Sequence, residues 1–363
     1  MIPQMEPNFD DKEKQALIDY MDSEGWLTEH NKTRELEKMI ADYTGSKYCS
    51  MLCNGTVTIL TALLAYDIGR GSEVIVPDYT MIASVTPVTL VDARPVFVDV
   101  TKQRFCMDFQ QMKKVVTPKT KAVILVSING RFPKYGLSII DFCRDNHIIV
   151  IEDAAQSLGC YRDDKHIGTF GDVGSFSFSM PKIISMGQGG ALVTNDKEIY
   201  DKINMIKNFG RKESGIDQHE CLGFNFKYTD LQAVIGIEQM KKLPDRVKRK
   251  KQIYLEYYKQ LESLDAINFV DTDLRLTAPW MIDVLVVNKL RRKNLMANML
   301  RKEIGTRPFY PAIHTQKPYE WVFGDFPNST YASEHGLWLP SSTKLTNENI
   351  KYVCDTLKKV LKG

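Results

Sequence analysis

One lysine, Lys182, stands in the run Ser175-Phe-Ser-Phe-Ser-Met-Pro-Lys-Ile-Ile-Ser-Met-Gly-Gln-Gly-Gly190, after a β-rich stretch and before a cluster of glycines. Upstream lies Ile151-Glu-Asp-Ala-Ala-Gln156, a short apolar strand pattern that ends in an acid. Further upstream, Cys53-Asn-Gly-Thr56 leads directly into a helical run. A lone lysine says little, because most lysines are solvated. An amine, an acid at a strand end, hydroxyls on one side of a strand and glycines that permit close approach say more together. They are the parts needed to hold pyridoxal phosphate and to use it.

Each part answers one demand of that chemistry. The cofactor aldehyde needs an amine to condense with, and the same amine later moves protons at the substrate carbon; Lys182 is the candidate. The pyridine nitrogen stays protonated only beside a buried carboxylate, and Asp153 sits where open α/β sheets place their sites, at the carboxyl end of a strand. Gln156, three residues on, is placed to hydrogen-bond the ring oxygen. The phosphate wants backbone N–H groups at a helix start, for which Asn54, Gly55 and Thr56 serve. Ser175 and Ser177 alternate with Phe176 and Phe178, which puts both hydroxyls on one face of a strand. The bland alternatives are an ordinary N-cap for Asn54 and a strand-end cap for Asp153. The cluster argues against them more than any member does.

These residues need a frame. From Tyr48 to about Asp196 the chain alternates β-rich runs with helical ones. Strands are expected at Glu73–Val76, Pro95–Val98, Ala122–Val126, Ile148–Ile151, Val173–Phe178 and Gly190–Val193. Helical periodicity marks Thr58–Tyr66, Phe109–Val116, Gly136–Asn146, Glu198–Lys207 and Thr229–Leu243. Apolar strands with little alternation fit a mainly parallel sheet with helices on both faces, an α/β fold. After Arg246 the pattern changes, with a strand from Met281, a helix over Lys289–Lys302 and a terminal helix over Tyr352–Leu361. The expected division is an N-terminal arm, 1–30, packed on the small domain; a large cofactor-binding domain, 31–245; and a small C-terminal α/β domain, 246–363.

Composition narrows the class. With 363 residues the chain can bury a large core. Its 48 basic and 45 acidic side chains leave +3, too weak an imbalance to call for a nucleic-acid partner. The densest basic run, Lys241 to Lys251, is spaced around Leu243 and Val247 like the solvated face of a helix. Seven scattered cysteines without paired spacing argue for reduced thiols in a cytosol-like compartment, and no metal site is expected. Neither a signal peptide nor a membrane span is visible, so a cytoplasmic protein without membrane contact is expected.

With these residues laid out, the sequence resembles the fold-type-I aminotransferases that act on nucleotide-linked keto-sugars, the DegT/DnrJ/EryC1/StrS family, in its perosamine/viosamine synthase-like branch. The resemblance runs over nearly the whole chain. Its landmarks are Gly25-Trp-Leu27, Asn54-Gly-Thr56, Val76-Pro77, Glu152-Asp-Ala-Ala-Gln-Ser-Leu-Gly159, Phe176-Ser-Phe178 with Lys182, Gly187-Gln-Gly-Gly190, Gly223-Phe-Asn225, Tyr310-Pro-Ala-Ile-His314 and Leu339-Pro340. It implies a large domain with a mainly parallel seven-stranded sheet. Lys182 would be the catalytic lysine, Asp153 the partner of the pyridine nitrogen and Gln156 the contact of the ring oxygen. Gly55, Thr56 and Ser177 would hold the phosphate. It also implies that Asn225 reaches the phosphate site of the neighbouring subunit, hence a homodimer with shared active sites. Trp26, Tyr310 and His314 become substrate-side candidates.

Two departures stand out. The family usually covers the cofactor ring with an aromatic side chain where this chain has Met81, in Pro77-Asp-Tyr-Thr-Met81, and either Met81 or Tyr79 could take that place. The family's common His-Leu-Tyr-Gly is Ser127-Ile-Asn-Gly130 here. Retention of Lys182 separates the chain from related sugar dehydratases, which carry histidine there. The resemblance thus implies transfer of an amino group from L-glutamate to C4 of a nucleotide-linked 4-keto-6-deoxyhexose. The alternatives are C3 amination of a 3-keto sugar, or a pyridoxal-binding regulator without turnover.

Overall fold

Strands that are apolar at nearly every position must be covered on both faces, and they pair into one sheet. The computed structural model describes residues 1–213 and 215–362. Its first elements are α1 (Asp11–Asp22), α2 (Asn31–Thr44), β1 (Tyr48–Leu52), α3 (Gly55–Ala65), β2 (Glu73–Pro77), α4 (Thr86–Leu90), β3 (Arg94–Val98), α5 (Phe109–Val115), β4 (Thr120–Val126), α6 (Gly136–Asp145) and β5 (Ile149–Asp153). A hairpin of β6 (Tyr161–Arg162) and β7 (Lys165–His166) leads to β8 (Val173–Ser177), β9 (Gly190–Thr194) and α7 (Lys197–Lys207).

The large sheet has the order β1-β9-β8-β5-β4-β2-β3. Neighbours from β3 to β8 are parallel, while β9 is antiparallel to both β8 and β1. The seven-stranded, mainly parallel sheet implied by the resemblance is what forms. Strand β1 is not among the runs singled out by pattern, because Cys49 and Ser50 dilute its β-branched character; pairing with β9 along its whole length carries it instead. The carboxyl end of β5, Asp153, pairs in register with Ser175 in the middle of β8, two residues before that strand ends and the segment toward Lys182 begins.

Beyond α7 come α8 (Asp230–Lys241) and α9 (Leu243–Leu261), then β10 (Ile267–Phe269), β11 (Ile282–Val286), α10 (Lys289–Arg301), β12 (Arg307–Pro308), α11 (Pro327–His335), β13 (Gly336–Leu339) and α12 (Asn347–Lys362). The four strands form an antiparallel sheet in the order β10-β11-β13-β12. Helices α9, α10 and α12 cover it with Ile253, Tyr257, Leu295, Met299, Val353 and Leu357. We propose the start of α9 as the seam between the two units.

The N-terminal segment divides between the two units. Residues 2–4 run along the second sheet, where Ile2 N–H donates to Glu303 O at 2.7 Å and Gln4 O accepts from Ser341 N–H at 2.8 Å. Asp10 caps α1 in a reciprocal box with Glu13. Helix α1 then lies on α8, where Glu13 is buried and bonded to Lys242 at 2.7 Å.

Two polar ties join the sheets across the seam. Arg131, after β4, donates to Asp283 of β11 at 2.6 Å with both side chains buried. Asn129 donates through Nδ2 to Met281 O at 2.9 Å and accepts from Met281 N–H at 2.7 Å. The expected solvated face along 241–251 is corrected here. Arg246 and Lys250 point inward and are buried, because α9 packs its opposite turns against both units. Among the described residues no helix is long and apolar enough to cross a membrane.

Candidate active site

Helix α3 starts where β1 ends, and Asn54 shapes the start. Its Oδ1 accepts from the N–H groups of Thr56 and Val57, both at 3.0 Å, so the N-cap reading of this residue holds. Among the described residues the Gly55 N–H and the Thr56 hydroxyl have no partner, and both residues line the cavity in front of the helix. Gly55 is needed for close approach: a Cβ there would stand 2.8 Å from Ser177 Cβ. Helix start and strand end are therefore pressed together, with the positive end of the helix dipole beside the Ser177 and Ser179 hydroxyls. This is a cradle for a phosphate. Ser175 is not part of it; its hydroxyl is fully buried against Thr58 at 2.6 Å.

The cavity in front of α3 has a volume of about 440 Å³. Asn54, Gly55, Thr56, Met81, Asp153, Gln156, Ser177, Lys182 and Tyr310 all line it, so nine of the sequence candidates meet at one place. Asp153 accepts from Ser84 Oγ at 2.6 Å, and Ser84 is itself within 2.8 Å of Thr80 Oγ1. That pair of hydroxyls holds the carboxylate at the cavity wall. Gln156 Oε1 accepts from Asn129 N–H at 2.6 Å, which fixes the amide so that its NH2 is the end left for a ligand.

Lys182 is half-buried, and its Nζ lies 4.2 Å from the centre of the Trp280 ring. Burial is the main influence on its amine; Asp153 opposes it and the Arg307 charge adds to it, and the result is pushed down to about 8. A lysine at that value carries a usable neutral fraction near neutral pH, as nucleophilic lysines require. The ring-covering alternatives also separate. Met81 faces the cavity and is partly exposed, whereas Tyr79 is 2% exposed and packed among Phe105, Phe309 and Tyr310.

Three candidates do not line this cavity. Trp26 is 67% exposed and stacks on His30. The His314 ring nitrogen Nδ1 is 2.7 Å from Asp78 Oδ2, and the ring stacks on Phe326. Asn225 is on the surface, in a bridge with Asn208. Sequence reading missed Trp280, Arg307 and Ser84. Trp280 and Arg307 arrive from the second sheet, and no local motif marks them. Arg307 lines the cavity beside the faces of Tyr310 and Trp338, and among the described residues it has no carboxylate partner.

A phosphate cradle, a carboxylate and a half-buried lysine amine around one cavity fit pyridoxal phosphate. Comparison with known proteins agrees on the class: residues 7–358 match the model of the DegT/DnrJ/EryC1/StrS aminotransferase family. This chain belongs to that family. It is 33% identical to the GDP-perosamine synthase of Escherichia coli O157:H7, across 98% of this chain and 97% of that protein. It is 32% identical to the GDP-perosamine synthase of Vibrio cholerae, across 99% and 98%. Among solved structures, the sugar aminotransferase Spr1654 of Streptococcus pneumoniae in its PMP form superposes with a TM-score of 0.94 at 25% identity, covering 99% of this chain and 98% of that one. Its PLP form gives 0.93. As a DegT/DnrJ/EryC1/StrS enzyme, the chain is a sugar aminotransferase.

Proposed function

We propose that this aminotransferase moves the amino group of L-glutamate to C4 of a nucleotide-linked 4-keto-6-deoxyhexose, releasing 2-oxoglutarate and an NDP-4-amino-4,6-dideoxyhexose. The cofactor is pyridoxal 5′-phosphate. The observation that carries the reading is Lys182: a half-buried amine, lowered to about 8, sharing with Asp153 a cavity whose other wall is a phosphate cradle. Relatives named GDP-perosamine synthases support C4 and make a GDP-linked sugar the first to try.

When bound, pyridoxal phosphate supplies an aldehyde that takes up an amino group and a pyridine ring that draws electrons from the adjoining carbon. Lys182 would hold the aldehyde and, when free, would take the proton from the donor's α-carbon and return one at the sugar carbon. Asp153, held by Ser84, would keep the pyridine nitrogen protonated. The Gln156 NH2 would serve the ring oxygen, and Met81 would cover the ring. Gly55, Thr56 and Ser177 would hold the phosphate. Arg307 offers its free guanidinium to a carboxylate of the donor, which favours an acidic amino acid in that role. Asn225 and the exposed apolar side chains beside it, Leu222 and Phe224, suit a second copy of the chain, so the working unit is a homodimer with shared sites. Trp26 and His314 do not line the cavity of their own chain, so a role as substrate contacts would be played beyond its wall or toward the partner's site. The free thiols of all seven cysteines suit a cytoplasmic setting.

The test is a coupled one. Purified protein is loaded with pyridoxal phosphate and given L-glutamate, and 2-oxoglutarate is followed. GDP-, dTDP- and UDP-linked 4-keto-6-deoxyhexoses are then supplied and amino sugars detected by mass spectrometry. Turnover that survives Lys182→Ala sinks the amine assignment. Donor turnover with none of the keto-sugars aminated sinks the acceptor, and a fully active monomer sinks the role of Asn225.

A further inference from the structure

We propose that Trp280 is the positioning residue for the amine of Lys182, and that Asn129 and Lys250 hold Trp280 in place from outside the cavity. The proposal rests on the reading of Lys182 as the reacting amine. Trp280 is 3% exposed and stands where the chain enters β11. Its two ends grip Lys182 at two points. The ring face lies 4.2 Å from Nζ, and the indole N–H donates at 2.5 Å to the carbonyl of Pro181, the residue just before the lysine. A long, flexible side chain is thereby tied at its tip and at its root to one rigid plane.

The plane is clamped in turn. Its own carbonyl accepts from Lys250 Nζ at 2.6 Å, and the same Nζ donates to Ser341 O. The next residue, Met281, has both its N–H and its C=O bonded to the side chain of Asn129. Asn129 is buried with φ 51, a left-handed backbone that asparagine tolerates better than most residues. Its N–H also holds the Gln156 amide. One residue in the segment Ser127-Ile-Asn-Gly130 therefore holds both the Gln156 amide and the edge of the second sheet that carries Trp280. Lys250 has no carboxylate partner among the described residues, and burial pushes its amine down to about 7. Placed as it is, it serves the two carbonyls.

The groups facing Lys182 come from four directions. Asp153 of β5 favours the ammonium, and Arg307 of β12 disfavours it. The Tyr310 hydroxyl shares the cavity, and Arg246 and Lys250 of α9 lie behind the Lys182 backbone. Burial outweighs them all. Trp280 supplies much of that burial, so removing the ring admits water and restores an ordinary ammonium. The ring face also attracts the ammonium, but with the ring in place the amine still sits well below its usual value.

The experiment is competitive acetylation of the cofactor-free protein over a pH series, with the Lys182 peptide read by mass spectrometry. The wild-type midpoint is expected near 8. In Trp280→Ala it rises by about one unit or more, roughly a tenfold fall in reactive amine at pH 7. Trp280→Phe keeps a ring face and stays near wild type. Asn129→Ala, whose side chain does not line the cavity, moves the midpoint in the direction of Trp280→Ala. A folded Trp280→Ala protein with the wild-type midpoint overturns the proposal, as does a Trp280→Phe midpoint displaced as far as that of the alanine variant. If Trp280→Ala does not fold by circular dichroism, an unmoved midpoint in Asn129→Ala overturns it. Failure of the underlying amine assignment shows separately, as turnover that survives Lys182→Ala.

Discussion

Adding a single methyl group at Gly55 tests whether the phosphate cradle depends on contact between α3 and β8. An alanine Cβ would stand 2.8 Å from Ser177 Cβ and 3.2 Å from its Oγ. Ordinary contacts begin near 3.4 Å, so the closest pair is short by about 0.6 Å. Rotating Ser177 moves Oγ but leaves Cβ in place, so helix and strand must separate. Overpacking of this kind costs about 1–3 kcal/mol. Without cofactor the helix start can shift outward, and alanine's better helix propensity offsets up to about 1 kcal/mol. A phosphate that needs the Gly55 N–H and the Ser177 hydroxyl together forces the strain back. Pyridoxal phosphate should therefore bind roughly five- to 150-fold more weakly to Gly55→Ala, with little change in the melting temperature of the cofactor-free protein. Titration of the cofactor against protein fluorescence reads this directly. Ser177→Gly removes the obstructing atom, so the double variant should bind no worse than Ser177→Gly alone. Wild-type affinity in Gly55→Ala, or simple additivity in the double variant, would refute the contact as the basis of the cradle.

Other outcomes follow from other parts of the molecule. Arg307→Met should raise the KM for L-glutamate roughly 10- to 150-fold, the worth of a charge-assisted bond to a carboxylate, and leave the KM for the keto-sugar nearly unchanged; equal losses on both substrates would point to another role. His166 is buried and neutral, with Nε2 accepting from Gly159 N–H and Nδ1 beside Ile167 O, and burial pushes it down to about 4. The unfolded chain takes up its proton near 6.5, so stability is full above that pH and falls by about 3 kcal/mol as pH drops from 6.5 to 4; denaturation in that window should be flatter in His166→Gln. Arg131→Met strands Asp283 in the interior and should destabilise the protein by about 3–5 kcal/mol, with Asp283→Asn in the same chain restoring part of the loss. A melting temperature unchanged in Arg131→Met would mean the pair does not tie the two sheets.

What could be read in advance is local chemistry. Asp153 and Ser177 sit at strand ends and Gly55 at a helix start, Gln156 and Lys182 follow in the loops after those strands, and the chain's own periodicity marks the ends. The parallel sheet was legible for the same reason, since apolar β-branched runs at every position leave no solvent face. Strand β1 was not singled out because its partner β9, and not its composition, makes it a strand. The basic run ending at Lys251 reads as solvated because charge usually is, and only packing on both sides of α9 buries Arg246 and Lys250.

By itself, then, the sequence pointed to the cofactor, to the amine proposed to react and to the sheet that presents them. These follow from residue types at short spacings, where backbone geometry leaves few choices. The tertiary structure alone decided which side chains from distant segments close the site. It put Met81 on the cavity wall and Tyr79 in an aromatic cluster, and it tied His314 to Asp78. It also brought Trp280 and Arg307 to the amine from the second sheet. Contacts between residues a hundred positions apart leave no periodicity to read, because what fixes them is how the two units pack together.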